Sequence, residues 1–83
     1  MSAEPLELEI VSPEKQLFVG HVAWVQIPGS RAPFMVLCNH APLVSTLSAG
    51  SIKWQSGGNE QMIQVKSGFV EVKNNRVTIC VEL

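Results

Sequence analysis

The chain has 83 residues, a formal net charge of −1 and 46% hydrophobic residues. This length is enough for one domain and too short for two, so we expect residues 1–83 to form a single domain. The apolar fraction argues against disorder, and the small net charge gives no electrostatic reason to expect binding to nucleic acid or anionic lipid. No apolar run approaches the ~18–20 residues that a spanning helix needs, so we expect no direct membrane insertion.

Short apolar runs separated by Gly, Pro, Ser and Asn follow one another along the chain, and helical periodicity is nearly absent. The first run alternates, with Leu6, Leu8 and Ile10 on one face and glutamates on the other. Pro28 and the glycine after it end the third predicted strand. In chain order, the first half predicts a strand at 6–10, a turn at 12–15, and strands at 16–19, 21–27 and 34–37, with a loop at 30–33.

The second half predicts hairpins joined by Gly and Asn turns. Asn74 and Asn75 are adjacent, and asparagine tolerates the left-handed backbone that a two-residue type I′ hairpin turn requires. The glycine-rich segment 56–60 predicts another hairpin loop. The sequence therefore predicts an all-β fold, a small β-sandwich or flattened barrel of about eight to ten short strands.

Cys38 and His40 are two residues apart and would share one face if a strand continued through them. A thiolate beside an imidazole is a nucleophile pattern. Pro42 indicates that the strand has already ended, and no acidic residue is near in sequence to orient the imidazole. The pattern of this segment therefore favours a stiff turn that presents one histidine, and it argues against a catalytic site.

The two cysteines, Cys38 and Cys80, lie in apolar runs, and we expect both to be buried free thiols. Together with His21 and His40 they are four possible metal ligands. Their spacing matches no Cys-x-x-Cys or His-x₃-His pattern, so the sequence predicts neither a metal site nor a bound cofactor.

The two tryptophans differ in their strand neighbours. Trp54 alternates with polar residues and is predicted to lie in the core. Trp24 points away from the core if Val25 and Ile27 face it, and an exposed tryptophan is a candidate interface anchor. The alternative is that both faces of its strand are buried.

Nearly the whole chain, from about Leu8 to Val81, resembles the N-terminal β-sandwich of the epsilon subunit of F-type ATP synthases. No single motif is specific, but their order and spacing match the family. The segments that carry the resemblance are Ile10-Val11-Ser12-Pro13-Glu14, Leu17-Phe18-Val19-Gly20-His21-Val22, Val25-Gln26-Ile27-Pro28-Gly29, His40-Ala41-Pro42-Leu43-Val44-Ser45-Thr46-Leu47 with Gly50, Ser67-Gly68-Phe69-Val70-Glu71-Val72 and Asn75-Arg76-Val77-Thr78-Ile79.

The resemblance implies a non-catalytic central-stalk subunit, peripheral on the cytoplasmic face of a bacterial inner membrane. Such a subunit couples the membrane rotor ring to the gamma subunit during ion-driven ATP synthesis. It implies no small-molecule ligand. A free-standing β-sandwich that binds a small ligand remains the alternative, and it would need a pocket lined by apolar and a few polar groups.

The resemblance also implies site residues. One end of the sandwich is expected to face the rotor ring, and a turn region is expected to lie near gamma. The ring-facing residues are Ser12, Ser30, Arg31, Ala32, Pro33 and His40, and the gamma-facing residues are Ala49 and Gly50, to which the exposed-anchor interpretation adds Trp24.

Three departures from the family pattern affect these expectations. Arg31 and Pro33 make the loop after Gly29 stiffer and less acidic than is usual in the family. Cys38 replaces the usual proline before the histidine turn. The family commonly continues beyond the position of Leu83 into a helical hairpin that can inhibit ATP hydrolysis and, in some bacteria, bind ATP, and neither function is assigned to these residues.

Overall fold

Nine β-strands account for the architecture in the computed structural model, which describes residues 4–83. This number lies within the predicted range, and the all-β prediction is confirmed. The strands are β1 (Leu6–Val11), β2 (Gln16–Val22), β3 (Trp24–Ile27), β4 (Phe34–Val36), β5 (Leu43–Leu47), β6 (Gly50–Ser56), β7 (Asn59–Val65), β8 (Ser67–Lys73) and β9 (Arg76–Glu82).

The strands form two sheets that pack as a sandwich. The five-stranded sheet has the order β2-β1-β9-β8-β5, and the four-stranded sheet has the order β4-β3-β6-β7. The first and last strands, β1 and β9, pair in parallel, whereas the other paired strands are antiparallel. Pairing of β1 with β9 closes the chain on itself, so both ends of the described chain lie in one sheet.

The core lies between the two sheets and is built from alternating strand positions. Leu6, Leu8 and Ile10 are buried, as the alternation predicts. Among residues 4–83 no polar or charged residue is buried, so the core is apolar throughout. The other buried hydrophobic residues are Val22, Val25, Ile27, Val36, Leu47, Ile52, Trp54, Val65, Val70, Val72, Val77, Ile79 and Val81.

The prediction of one long strand at 21–27 is wrong. The chain changes sheets at Ala23, so Val22 ends β2 opposite Leu6, and Trp24 begins β3 opposite Gln55. The Ala23 amide donates to the Gln55 carbonyl oxygen at 2.8 Å, which keeps this short crossing hydrogen-bonded. The inward positions shift by one residue here, from Val22 to Val25, but residues 22–25 are all apolar, so the sequence does not mark the break.

The predicted hairpin turns are confirmed, and one is tighter than expected. Asn74 and Asn75 have φ of 52° and 60°. The loop expected at 56–60 contracts to Gly57 and Gly58, with φ of 60° and 82°. Positive φ at both central residues is what a type I′ hairpin requires, and Asn and Gly adopt it at the lowest cost.

Candidate functional site

The loop after β4 turns sharply and presents His40. The His40 amide donates to the Leu37 carbonyl oxygen at 3.2 Å, which closes a four-residue turn. Asn39 occupies the left-handed region of that turn with φ of 65°. His40 is half-buried, and its Nδ1 lies 2.7 Å from the Ala41 carbonyl oxygen. If Nδ1 carries the proton and donates to that carbonyl, Nε2 is the ring nitrogen left to accept from a partner.

A pair of asparagines ties this loop to the β8–β9 hairpin. The Asn39 amide donates to Asn75 Oδ1 at 2.6 Å, and Asn75 Nδ2 donates to Asn39 Oδ1 at 3.2 Å. The Asn75 carbonyl oxygen in turn accepts from the Glu7 amide at 2.9 Å. We call the reciprocal contact of Asn39 and Asn75 the asparagine clamp. It fixes the His40 loop at the sheet end where β1 and β9 begin.

Ser12 and the loop that begins at Ser30 lie at the other end of the sandwich. Ser12 follows β1, and its hydroxyl donates to the Lys15 carbonyl oxygen at 3.2 Å. The Ser30 amide donates to the Thr46 carbonyl oxygen at 3.0 Å, near the end of β5. Thr46, Phe69, Cys80 and Val11 are successive neighbours across the five-stranded sheet. Ser12 and Ser30 therefore lie at the same end of the sandwich, towards opposite edges of this sheet.

The fold does not bring the six expected ring-facing residues together at one end. His40 is held at Asn75, where β9 begins, whereas Ser12 lies where β9 ends. A seven-residue strand separates these ends by about 20 Å. The remaining three residues, Arg31, Ala32 and Pro33, are exposed in the loop that begins at Ser30.

Trp24 lies on the outer face of the four-stranded sheet. It is half-buried, alternates with the buried residues Val25 and Ile27, and donates from Nε1 to Gln55 Oε1 at 2.8 Å. The exposed methionines Met35 and Met62 belong to the same outer face, in register with Gln26 and Lys53. An aromatic ring and flexible methionines on one sheet face form a composition suited to contact with another protein.

The prediction that Trp54 lies in the core is confirmed, because the residue is 4% exposed. Its ring packs on Phe18 of β2, with ring centroids 4.9 Å apart. Among residues 4–83, Trp54 Nε1 is the buried side-chain nitrogen or oxygen that lacks a hydrogen-bond partner. The two tryptophans of the four-stranded sheet thus differ: one contacts the core and one contacts the surface.

Ala49 and Gly50 are at the far end of the same sheet from Trp24. Trp24 pairs with Gln55, and Gly50 begins β6 five residues earlier. Ala49 is exposed. A Cβ at Gly50 would lie 3.1 Å from Pro28 Cβ, so this turn packs closely on the loop that precedes Ser30.

The expectation that both cysteines are buried is wrong for Cys38. Both are free thiols, but Cys38 is exposed and Cys80 is half-buried. Cys38 lies in the turn after β4, where the chain has already left the sheet, whereas Cys80 lies on the outer face of β9. Apolar neighbours in sequence did not imply burial because the strand ends one residue before Leu37.

The depressions in the surface are open to solvent. One of about 300 Å³ lies over β1 and β2 and holds a polar cluster, in which Arg76 Nη2 lies 2.9 Å from Glu7 Oε1 and His21 Nε2 lies 3.6 Å from Glu7 Oε2. All three side chains are about half exposed or more, with side-chain exposures of 49–67%. Water screens such pairs, so this cluster is a solvated surface network.

Comparison with known proteins decides the family. The family described as "ATP synthase, Delta/Epsilon chain, beta-sandwich domain" matches residues 5–83. The chain belongs to this delta/epsilon family. It is 43% identical over 79 residues to an ATP synthase epsilon chain of Leptospira interrogans, and the match covers 95% of this chain and 62% of that protein. It is 38% identical over 77 residues to the ATP synthase epsilon chain of Caulobacter vibrioides, of which it covers 90%.

Solved structures support the delta/epsilon sandwich fold. A chain of the Euglena gracilis mitochondrial ATP synthase, in a structure of its OSCP, F1 and c-ring, superposes with a TM-score of 0.86 at 21% identity and covers 98% of this chain and 52% of that one. A chain in the central stalk and c-ring structure of the Tetrahymena thermophila mitochondrial enzyme gives a TM-score of 0.82 at 15% identity, covering 100% and 67%. At these identities the likeness establishes the fold.

The delta/epsilon sandwich described here spans about three fifths of the length of several relatives, as the 62% coverage of the Leptospira protein shows. Its described residues, 4–83, include no helix with the length and apolar character needed to cross a bilayer.

Proposed function

We propose that the protein is a non-catalytic subunit of the central stalk of a bacterial F-type ATP synthase, where it couples the membrane rotor ring to the gamma subunit during ion-driven ATP synthesis. The observation that carries this proposal is the delta/epsilon family match over residues 5–83. The proposed location is peripheral, on the cytoplasmic face of the inner membrane, and the proposed partners are gamma and the ring subunits.

A coupling role requires two surfaces on a rigid body. The apolar core and the two hydrogen-bonded sheets supply the rigidity. The exposed loop at 30–33 and Ser12 form one candidate contact for the ring at their shared end of the sandwich, and His40 forms a separate candidate at the opposite end. We propose both as ring contacts.

For the gamma contact we propose the outer face of the four-stranded sheet with the turn at its end. Trp24, half-buried and hydrogen-bonded to Gln55, has a fixed ring that loses little rotamer freedom on binding. Ala49 and Gly50 extend this surface towards the Ser30 loop, because Gly50 packs on Pro28.

The proposal is tested by binding and by coupling. The purified chain is expected to bind isolated cognate gamma and to show no ATPase activity; no detectable association would refute the stalk assignment. In the reassembled enzyme, Arg31→Glu and His40→Glu are expected to reduce ATP-driven proton pumping without changing the thermal unfolding of the free chain.

The small-ligand alternative is not proposed. Ligand sites bury most of the ligand surface, whereas the depression of about 300 Å³ over β1 and β2 is open to solvent.

Unchanged proton pumping in both the Arg31→Glu and the His40→Glu variants would refute the assignment of these two residues to the ring contact. It would leave the family assignment intact.

A further inference from the structure

The imidazole of His40 makes one hydrogen bond within residues 4–83, and it makes that bond through Nδ1. Nδ1 lies 2.7 Å from the Ala41 carbonyl oxygen. A carbonyl oxygen can only accept, so the proton of a contact at this distance lies on Nδ1. A neutral imidazole carries a single N–H, and Nε2 then keeps its lone pair. The contact therefore favours one of the two imidazole tautomers.

The backbone on both sides of the ring holds this contact in place. The asparagine clamp fixes the residue before His40, and the His40 amide bonds to the Leu37 carbonyl oxygen at 3.2 Å. On the other side, Ala41 precedes Pro42, which restricts Ala41 to an extended conformation and so limits the directions in which its carbonyl can point. The donor and the acceptor of the contact thus belong to adjacent residues of a constrained turn.

The second histidine of the chain, His21, is in the opposite situation. Its Nε2 lies 3.6 Å from Glu7 Oε2, and within residues 4–83 its side chain makes no hydrogen bond through Nδ1. A carboxylate next to Nε2 favours a proton on that nitrogen. The two histidines are therefore expected to carry their protons on different ring nitrogens when both are neutral.

We propose that His40 is held as the Nδ1–H tautomer and that its Nε2 is an oriented hydrogen-bond acceptor, which recognises an N–H or O–H group of a partner. A carboxylate of the partner would face the Nε2 lone pair and would be disfavoured there. The tautomer is inferred from the loop geometry alone, whereas the assignment of the donor group to a rotor-ring subunit rests on the proposed function.

The tautomer is measured by NMR on the isotope-labelled intact chain. Long-range nitrogen–proton correlations, recorded at alkaline pH where imidazoles are neutral, show which ring nitrogen carries the proton. For His40 the ratio of Nδ1–H to Nε2–H is expected to be at least about tenfold higher than in the same chain unfolded in urea. His21 is the reference in the same spectrum and is expected to carry its proton on Nε2. A predominant Nε2–H form at His40 would overturn the proposal.

The acceptor role is measured as ATP-driven proton pumping in the reassembled enzyme. His40→Gln keeps an acceptor oxygen, His40→Lys offers only donors, and the uncharged His40→Leu offers neither. The Gln variant is expected to retain most of the pumping, and the Leu and Lys variants are expected to pump about threefold less. Thermal unfolding of each free variant checks that the fold is intact. Pumping in the Lys or the Leu variant equal to that in the Gln variant would overturn the acceptor role.

Failure of this inference is distinguishable from failure of the proposed function. If the unsubstituted chain does not bind gamma, the stalk function is refuted, whereas the NMR measurement on the free chain still decides the tautomer. If the chain binds gamma and His40 carries its proton on Nε2, this inference alone is refuted.

Discussion

The two hairpins with two-residue turns share a backbone conformation and differ in what their turns contact. Gly57 and Gly58 join β6 to β7, and a Cβ at either would meet nothing within 4 Å. Asn74 and Asn75 join β8 to β9 with similar φ, and the Asn75 side chain bonds to Asn39 in the asparagine clamp. The glycine turn makes its contact through the backbone, with the Gly57 amide 3.1 Å from Glu4 Oε1, whereas the asparagine turn uses a side chain and fixes the His40 loop.

The comparison shows that one backbone geometry can be specified by two chemistries. Glycine adopts positive φ without steric cost. Asparagine adopts it at a modest cost and retains a side chain that can donate and accept. The difference in residue type therefore gives the asparagine turn a tertiary contact through its side chain, whereas the glycine turn makes one through its backbone, where the Gly57 amide donates to Glu4 Oε1 at 3.1 Å.

The largest expected effect comes from adding a methyl group inside the asparagine-turned hairpin. Gly68 in β8 has φ of 154°, and a Cβ there would overlap the Cys80 carbonyl oxygen and lie 3.0 Å from Val81 Cα. Because the obstacle is the backbone of β9, Gly68→Ala is expected to destabilise the fold by more than about 3 kcal/mol. Urea unfolding followed by circular dichroism measures this.

The matched control is Gly58→Ala in the other hairpin. It has positive φ but open space around it, so the expected cost is about 1–2 kcal/mol, from backbone strain alone. Equal costs for the two alanine variants would show that the contact with Cys80 is relieved by movement of the strands.

The asparagine clamp gives an effect of intermediate size. Asn75→Gly keeps the left-handed turn and removes the two side-chain bonds to Asn39, so the expected loss is about 1 kcal/mol. Asn75→Ala adds backbone strain and is expected to cost about 2–3 kcal/mol in total. In the glycine variant the His40 amide is expected to exchange faster with solvent. Unchanged exchange there would show that the turn bond to Leu37 alone holds the loop.

The smallest effect is expected when both glycines of the Gly57-Gly58 turn are replaced by asparagine, as in the other hairpin. Gly57→Asn with Gly58→Asn keeps residues that tolerate positive φ, and nothing lies within reach of a Cβ at either position. We expect a stability change of about 1 kcal/mol or less. A loss of several kcal/mol in urea unfolding would show that side chains at positions 57 and 58 disturb the turn or the bond from the Gly57 amide to Glu4.

Local patterns predicted the fold class and both hairpins. Alternation around Leu6 and Leu8 marked core positions, and adjacent Asn74 and Asn75 marked a turn, because both signals depend on neighbouring residues. The change of sheet at Ala23 was missed, since residues 22–25 are all apolar and hide the one-residue shift of the inward positions from Val22 to Val25.

Long-range contacts of the candidate site were beyond prediction. Asn39 and Asn75 are separated by 36 positions, and no local pattern indicates that their side chains meet. The exposure of Cys38 was missed for a similar reason, because it depends on where β4 ends. The placement of His40 at the opposite end from Ser12 follows from strand direction, which the sequence alone did not fix.

Because Trp24 and Trp54 lie in different environments, their intrinsic fluorescence reports on two different events. The Trp54 indole is enclosed and has no hydrogen-bond partner, so its emission is that of an apolar medium. The Trp24 indole is partly wet and bonded to Gln55. Unfolding shifts the first signal, and coverage of the outer sheet face shifts the second. Fluorescence from the unlabelled chain can therefore distinguish a partner that docks from a variant that unfolds.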